Sequence, residues 1–362
     1  FNKLSKLVNK YIDVEINYLL FFFKSSVCED RNEIVKQSKY LKKTIKIKNN
    51  FWPAYEKLLN LYEKTNKINE FYKLSFNAKK IFHNNPKAKY YFALCLFRQN
   101  KIKQSLEEIE FNKIENKFLK IKNITYLVNL YDLQSKIFLK QNNYKLSLAY
   151  SIKRNSISIN SEENKKYDKN ILLDTINKYN VFYSTLKNPI NVKIHNILHH
   201  KNLVFLVGFP RSGTTLLDSI LRSHSKTNVI EEKPFLLKIR HEYFKNHTLE
   251  EFSNISKNNI IKLQRQYFDS FNYSKKNITI DKFPLNLIEL GFIKKIFPDS
   301  KIILVLRHPL DSILSCVLTS FKINEAMANY ENLETAAFFY TKVFDLFSVY
   351  EKVYKFSLHQ IK

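Results

Sequence analysis

The second half of the chain is organised around one stretch, LVFLVGFPRSGTTLL, which runs from Leu203 to Leu217. It contains two of the three glycines in 362 residues, Gly208 and Gly213. The continuous apolar run over 203–207 predicts a strand buried on both faces, and apolar residues at helical spacing after Gly213 predict a helix. The glycines therefore lie on a strand-to-helix turn. Such a turn directs backbone N–H groups and the positive end of a helix dipole at one point, which suits a phosphate or a sulfate.

The spacing of this turn has the frame of a nucleotide-binding P-loop, with Thr214 in place of the usual lysine. The basic residue is instead Arg211, inside the loop. A forked guanidinium there fits a ligand with one phosphate and one transferable anionic group. An alternative is a tight turn whose Arg211 forms a surface salt bridge. The candidate anion-binding residues of the loop are Gly208, Pro210, Arg211, Ser212, Gly213, Thr214 and Thr215.

The loop resembles the 5′-phosphosulfate loop of the sulfotransferases that use 3′-phosphoadenosine 5′-phosphosulfate (PAPS). A second segment, KIILVLRHPLDSILS from Lys301 to Ser315, resembles the 3′-phosphate segment of that family. The resemblance implies that Arg307 and Ser315 hold the 3′-phosphate. The run 302–306 predicts a second buried strand, and Arg307 follows its carboxyl end, where open parallel sheets bind ligands. Taken alone, such an arginine is more typical of a structural ion pair.

A third segment, Asp281-Lys282-Phe283-Pro284, is similar to the family stretch whose lysine neutralises charge on the transferring group. The resemblance implies that Lys282 has this catalytic role beside Arg211. Without the resemblance, a solvated lysine beside Asp281 is the favoured interpretation of Lys282. The three segments together cover the chain from about residue 203 to about residue 320.

The acceptor hydroxyl has to lose its proton, so a base is expected near the transferring group. Tyrosylprotein sulfotransferases, which this chain resembles, carry a glycine followed by two glutamates, and the second glutamate is the base. The resemblance implies Glu232 as the catalytic base. Glu231 stays an alternative, because Ile230 stands in place of the glycine and cannot readily take a positive φ. Both glutamates could instead complement the dipole of a helix beginning near Phe235.

The first half of the chain has apolar residues at helical spacing and no strand pattern before about residue 200. Similar residues recur at a spacing of 34 residues, which is the period of the tetratricopeptide repeat. Leu59, for example, corresponds to Ala93. A further unit follows an insertion of eight residues, in which Ala93 corresponds to Ser135 and Ser105 to Ser147. An irregular helical domain is the alternative. A tetratricopeptide array ahead of a sulfotransferase domain is itself an arrangement seen in bacterial relatives.

The expected fold is α plus α/β. A helical-repeat, tetratricopeptide-like domain is expected over 1–160, and a linker with a connecting helix over 161–200. The polar and charged segment 155–170 is the expected site of the linker itself. A P-loop-type α/β domain, with a parallel sheet flanked by helices, is expected over 201–362. Because sulfotransferases continue with another strand and a glycine-containing loop, this domain is expected to be incomplete at its C-terminus.

The chain carries 60 Lys and Arg against 33 Asp and Glu, a formal net charge of +27. Residues 1–200 hold 37 basic and 17 acidic side chains, and the remainder hold 23 and 16. The lysines are dispersed, which favours solvated helix faces. A second interpretation is a basic surface that attracts an acidic protein or an anionic glycan. We expect no nucleic-acid partner, because the chain has no tight basic block and no base-reading motif.

The cysteines are few, odd in number and widely separated, which indicates a reducing, cytoplasmic environment without disulfides or zinc. They are Cys28, Cys95 and Cys316. Three histidines lie close together without an accompanying set of acidic or thiol ligands, so no metal is expected. They are His195, His199 and His200. The apolar run 19–23 is too short to cross a bilayer.

These features predict an enzyme that transfers a sulfuryl group from PAPS to an acceptor hydroxyl on a protein tyrosine, a saccharide or another alcohol or phenol. One alternative is a helical-repeat scaffold that keeps a nucleotide-binding domain without turnover. The other is a P-loop nucleotide kinase, against which the threonine at 214 argues.

Overall fold

The structure is a computed structural model that describes residues 17–186, 202–271, 277–354 and 356–362. The chain divides into two compact units, Phe1–Ser158 and Ile159–Lys362. The first unit is helical in its described part. Its helices are α1 (Asn17–Asp30), α2 (Ile34–Ile47), α3 (Trp52–Lys64), α4 (Ile68–Ile81), α5 (Pro86–Arg98), α6 (Ile102–Phe111), α7 (Ile114–Lys120), α8 (Ile124–Lys140) and α9 (Tyr144–Ile159), which ends one residue beyond the unit.

The second unit combines helices with a sheet. Its elements are α10 (Lys169–Ser184), β1 (Leu203–Gly208), α11 (Thr214–Arg222), β2 (Thr227–Glu231), α12 (Phe235–Phe244), α13 (Leu249–Ser253), α14 (Lys257–Phe268), β3 (Ile278–Lys282), α15 (Leu290–Ile296), β4 (Lys301–Val305), α16 (Pro309–Leu318), α17 (Leu333–Val353) and β5 (Leu358–Ile361), with short 3₁₀ turns at Pro284–Leu287 and Met327–Tyr330.

Consecutive helices of the first unit form pairs joined by short turns, as in α3–α4 and α5–α6. The starts of α3 and α5, and those of α4 and α6, are one 34-residue period apart. The eight-residue insertion expected before the next unit coincides with α7. Within a pair, helices approach closely through small side chains. The Ser105 hydroxyl donates to the Ala93 carbonyl at 2.7 Å, and its counterpart Ser147 lies 3.2 Å from Ser135 Oγ.

Each of these pairs turns on an exposed asparagine with a left-handed backbone. They are Asn32 (φ 56°), Asn66 (φ 54°), Asn100 (φ 61°) and Asn142 (φ 59°). In the pair α5–α6, the N–H of Lys101 reaches back to the Leu96 carbonyl at 2.9 Å, which is the closing bond of a Schellman motif. Asparagine tolerates this conformation better than other residues with a Cβ, so it replaces the glycine that this chain almost lacks.

The five strands form one sheet in the order β2-β3-β1-β4-β5, and each of its four pairings is parallel. The central strand β1 is buried along its whole length. Val204 and Leu206 pack with Leu217 and Leu221 of α11. Phe205, on the opposite face, meets the rings of Tyr267 and Phe297. Helices therefore cover both faces, which confirms the expected fold class.

Three details differ from the expectations. The polar segment 155–170 is not a linker throughout, because α9 extends to Ile159 and Asn155 is buried. The connecting helix α10 belongs to the second unit, where it packs against α17. A strand after α17 was expected beyond the chain, yet β5 already pairs with β4 over Leu358–Ile361. The residues 187–201, with the three histidines at 195, 199 and 200, lie outside the described residues.

Candidate active site

The parallel sheet brings the carboxyl ends of β1, β2, β3 and β4 to one edge. Gly208 ends β1, Glu231 ends β2 and Lys282 ends β3, while Arg307 lies two residues after the end of β4. In the register of the sheet, Lys282 pairs with both Leu206 and Glu231, and Gly208 pairs with Val305. The residues predicted from separate segments are thus brought to the same side of the sheet.

The loop after β1 has the backbone of an anion cradle. A Cβ at Gly208 would lie 2.7 Å from the Val305 carbonyl oxygen and 2.9 Å from Ser212 Oγ, so the position accepts no larger residue without a shift. Gly213, with φ 105°, is the N-cap of α11. Arg211 also has a left-handed backbone, with φ 69°. Left-handed residues within a turn of this kind are typical of the concave backbone segments that bind anions.

Polar groups of the loop fit an anionic ligand. The Ser212 hydroxyl is buried and has no hydrogen-bond partner among the described residues. Buried hydroxyls are normally satisfied, so an unpartnered one beside a helix N-terminus is what a site for a phosphate or phosphosulfate oxygen would contain. Thr214 is buried, whereas Arg211 and Thr215 are exposed to solvent.

The loop and the second predicted anion segment are joined directly. Arg211 Nε donates to Ser315 Oγ at 3.0 Å, and Arg307 Nη1 donates to the backbone carbonyl of Arg211 at 3.2 Å. Beneath the loop, the Cys316 thiol donates to the Pro210 carbonyl at 3.5 Å. Burial raises the pKa of that thiol to about 12, so it stays protonated. Two guanidiniums, both exposed, therefore lie at one place.

The predicted lysine and glutamates form ion pairs. Lys282 is fully buried, and its Nζ lies 2.7 Å from Glu232 Oε1 and 3.2 Å from Glu231 Oε1. Both glutamates are about half exposed. The expectation of a solvated lysine beside Asp281 is wrong, because Asp281 lies on the other face of β3 and hydrogen-bonds Tyr267. The buried ammonium is therefore compensated by carboxylates at the carboxyl ends of the strands.

The departure at Ile230 has a different consequence from the one expected. Ile230 is a regular β2 residue paired with Asp281, so it needs no positive φ. The left-handed residue is Glu232 itself, with φ 46°, and its N–H donates to the Lys282 carbonyl at 2.8 Å. A glutamate held in this conformation is strained, and such strain is concentrated at functional sites. The glutamates are therefore not the first turn of a helix, which begins only at Phe235.

Sequence reasoning missed two charged residues of this site, Asp218 and Arg222 on α11. Asp218 is buried, and Arg222 holds it through two bonds, from Nε to Oδ1 at 2.6 Å and from Nη2 to Oδ2 at 3.2 Å. Arg222 Nη2 also donates to Glu231 Oε2 at 3.1 Å. The hydrogen bond from the guanidinium to Asp218 is the main cause of the raised pKa of Arg222. Their i, i+4 spacing on a helix was the signal available in the sequence.

Two absences concern the part of the chain that the structure describes. Within it, no three His, Cys, Asp or Glu side chains are grouped as a metal site would require. None of its helices combines the length and the apolar character needed to traverse a bilayer.

Comparison with known proteins places this site in a family context. Residues 204–359 match the model of the Sulfotransferase family. The chain is also 33% identical over 130 residues to an uncharacterized protein of Aquifex aeolicus (strain VF5). That alignment covers 32% of this chain and 17% of the relative. Together, the family match and the gathering of the predicted anion-binding residues at one edge of a parallel sheet support a sulfotransferase domain in residues 204–359.

Proposed function

We propose that the protein transfers a sulfuryl group from PAPS to an acceptor hydroxyl. The contact between the two predicted anion segments carries the proposal. Arg211 touches Ser315, and Arg307 touches the backbone of Arg211, so a ligand with anionic groups at two positions would meet both guanidiniums. Bidentate donors of this kind suit phosphate and sulfate.

Each residue has a role in this proposal. The amides and hydroxyls of Gly208–Thr215 and the Arg211 guanidinium bind the 5′-phosphosulfate, and Arg307 with Ser315 binds the 3′-phosphate. Lys282 neutralises negative charge on the departing phosphate. Glu232 accepts the proton of the acceptor hydroxyl at Oε2, which has no hydrogen-bond partner within the described residues. When bound, PAPS supplies an activated sulfuryl group, so the protein has to contribute mainly position and charge.

The acceptor is proposed by chemical class. A glutamate base suits a hydroxyl on a protein tyrosine or a saccharide. We propose that the helical unit is a tetratricopeptide-type array that binds the acceptor or an acidic partner protein. Its helix pairs repeat at 34 residues, and it belongs to the half of the chain with 37 basic against 17 acidic side chains.

The test uses the full chain, sulfate-labelled PAPS and pools of peptide, saccharide and phenol acceptors. We expect labelled product from the wild type, and a loss of roughly 10²–10³-fold in kcat/KM for Arg211→Ala, the size of effect seen when one charge-stabilising donor is removed. Arg211→Lys should recover only part of the loss, because lysine keeps the charge without the fork. The exposed Arg265 of the same unit supplies the control, and Arg265→Ala should behave as wild type.

The proposal fails if no label is transferred, and an absence of binding of the desulfated bisphosphate in calorimetry would exclude the nucleotide site as well. Binding without transfer would favour the nucleotide-binding scaffold instead.

A further inference from the structure

Four charged side chains at the site form a closed ring of alternating sign. Lys282 Nζ contacts Glu231 Oε1 at 3.2 Å, and Glu231 Oε2 accepts from Arg222 Nη2 at 3.1 Å. Arg222 holds both oxygens of Asp218, and Asp218 Oδ2 lies 3.9 Å from Lys282 Nζ, which closes the ring. We call these four residues the charge ring. Its formal net charge is zero.

The charge ring runs from the interior to the surface. Lys282 and Asp218 are 0% and 2% exposed, whereas Arg222 and Glu231 are 43% and 51% exposed. A buried ammonium is tolerated only when it is paired, and removal of one partner leaves the other charge uncompensated. Asp218 is the one carboxylate of the ring that is buried with Lys282, so it fixes the inner side of the ammonium.

Glu232 stands outside the charge ring as a fifth charge. Its Oε1 contacts Lys282 at 2.7 Å, and its Oε2 has no partner in the described part of the chain. Glu231, by contrast, uses one oxygen on Lys282 and the other on Arg222. The two adjacent glutamates are therefore unequal, because only Glu232 keeps an oxygen for a proton.

We propose that Asp218 and Arg222 are positioning residues, which hold Lys282 and Glu231 in a neutral ring so that Glu232 alone serves as the base. This inference rests on the proposed sulfuryl transfer. Arg222 occupies Glu231, and Asp218 keeps the Lys282 ammonium at the sheet edge. The role belongs to the ring as a unit and depends on its balance of charge.

Charge balance gives the proposal a sharp test. Asp218→Asn leaves the ring with one excess positive charge and Arg222→Gln with one excess negative charge, while the double variant is neutral again. We expect each single variant to lower kcat by about 10- to 100-fold, because Lys282 and Glu232 are displaced from working positions. The double variant should have a higher kcat than the slower single variant, and its loss should be much smaller than the product of the two.

The pH profile supplies a second readout. A negative charge lost near the base should move the acid limb of the kcat profile to lower pH in Asp218→Asn, and a positive charge lost should move it to higher pH in Arg222→Gln. Among the described residues, Glu232 contacts Lys282 on β3 and follows Glu231 of β2, and Asp218 and Arg222 on α11 act on it through those two residues. If the substitutions only damaged the fold, the acid limbs of the two variants would move in the same direction or not at all.

Two measurements need no turnover. The dissociation constant of the desulfated bisphosphate should change much less than kcat in all three variants, since neither residue belongs to the loop. Urea midpoints should also be non-additive across the cycle. The exposed pair Glu162 and Lys165 of the same unit is the matched control, and its Glu162→Gln and Lys165→Gln cycle should be additive.

The outcomes separate the two proposals. A wild type that transfers no label overturns the proposed function, and this inference with it. An active wild type with additive losses in kcat, or with acid limbs that do not move in opposite directions, overturns the charge ring as a positioning device and leaves the transfer reaction standing.

Discussion

Asp281 and Lys282 are sequence neighbours that β3 sends to opposite faces of the sheet. Lys282 joins the charge ring, whereas Asp281 accepts a hydrogen bond from Tyr267 at 2.5 Å in the interior. The other oxygen of Asp281 has no partner among the described residues. Two buried ionisable side chains are thus held apart by strand alternation instead of pairing with each other. The surroundings of Lys282 and of Asp281 each lead to a prediction that single substitutions can test.

The two glutamates should respond differently to neutralisation. Glu232→Gln should lower kcat by roughly 10²–10⁴-fold, the usual contribution of a general base, and keep the affinity for the bisphosphate. Glu231→Gln should cost less, because both of its oxygens are engaged by Lys282 and Arg222. Steady-state kinetics and calorimetry on the two variants check this. Equal losses in the two variants would contradict the assignment of Glu232.

Asp281 should make stability depend on pH. Burial raises the pKa of this carboxyl to about 7. Because the unfolded value is near 4, the folded state holds an extra proton between about pH 4 and pH 7, and the free energy of unfolding falls as the pH rises through that window. The loss is up to about 4 kcal/mol, from a shift of about three units at 1.36 kcal/mol each.

The variant Asp281→Asn should remove this dependence. The difference in unfolding free energy, variant minus wild type, should increase from pH 4 to pH 8. It is measured by calorimetry on the unfolding transition of the second unit, which is the transition that added bisphosphate should shift. The exposed Asp269 gives the control, and Asp269→Asn should leave the pH dependence unchanged. Parallel curves for wild type and Asp281→Asn would show that Asp281 is already ionised without cost.

At the scale of elements, sequence and structure agree where a pattern has a single physical cause. The apolar runs of β1 and β4 predicted strands because a doubly covered parallel strand has no polar face. The strand β2 was missed, since it is an edge strand with exposed Asn228 and Glu231. The strand β3 was missed because two of its five residues are charged, and their burial depends on partners from other elements.

The same reasoning explains which site residues could be predicted. Arg211 and Arg307 are adjacent to glycine or strand signals that lie in the local sequence. Asp218 and Arg222 look like an ordinary helical ion pair until β2 and β3 bring Glu231 and Lys282 against them. The asparagines of the helix pairs were a missed signal, because a left-handed residue recurring at 32, 66 and 100 marks the repeat more clearly than the apolar positions do.

These asparagines carry a prediction for the helical unit. Asn100→Ala should lower the free energy of unfolding by about 1–2 kcal/mol, the cost of a Cβ in left-handed backbone, and Asn100→Gly should be close to neutral. Asn69, exposed within α4, is the control, and Asn69→Ala should be neutral or slightly stabilising. Trp52 is the single tryptophan and lies in α3, so its fluorescence in urea reports on this unit. Equal effects of Ala and Gly at position 100 would contradict the backbone argument.

At the scale of the whole molecule, charge and chemistry are divided between the two halves. Residues 1–158 carry an excess of 18 positive charges, and residues 159–362 carry an excess of nine. The residues proposed to bind PAPS all belong to the second unit, Ile159–Lys362. The basic character of the chain is therefore largely separate from the proposed anion site, which fits the proposed division between acceptor binding and sulfuryl transfer.

This division predicts which segments are protected from amide hydrogen exchange when the bisphosphate binds. Addition of the desulfated bisphosphate should slow amide hydrogen exchange in Gly208–Thr215 and in Arg307–Ser315, because bound ligand stabilises the segments that hold it. Exchange in Trp52–Lys140 should not change. Mass spectrometry of peptic fragments checks this, with the Arg211→Ala variant as control. Equal protection in both halves would contradict binding confined to the second unit.

The bond from Arg307 to the carbonyl of Arg211 has one more consequence. The Arg307 side chain, proposed to bind one end of the nucleotide, also hydrogen-bonds the peptide that is proposed to bind the other end. Each binding segment therefore helps to position the other. The site would then select ligands that carry both anionic groups. A mononucleotide that lacks one of them would lose the contacts to that group, and the residues that bind the other group would be less well positioned. On the proposed function, the site would therefore recognise the distance between the two anionic groups more than either group alone.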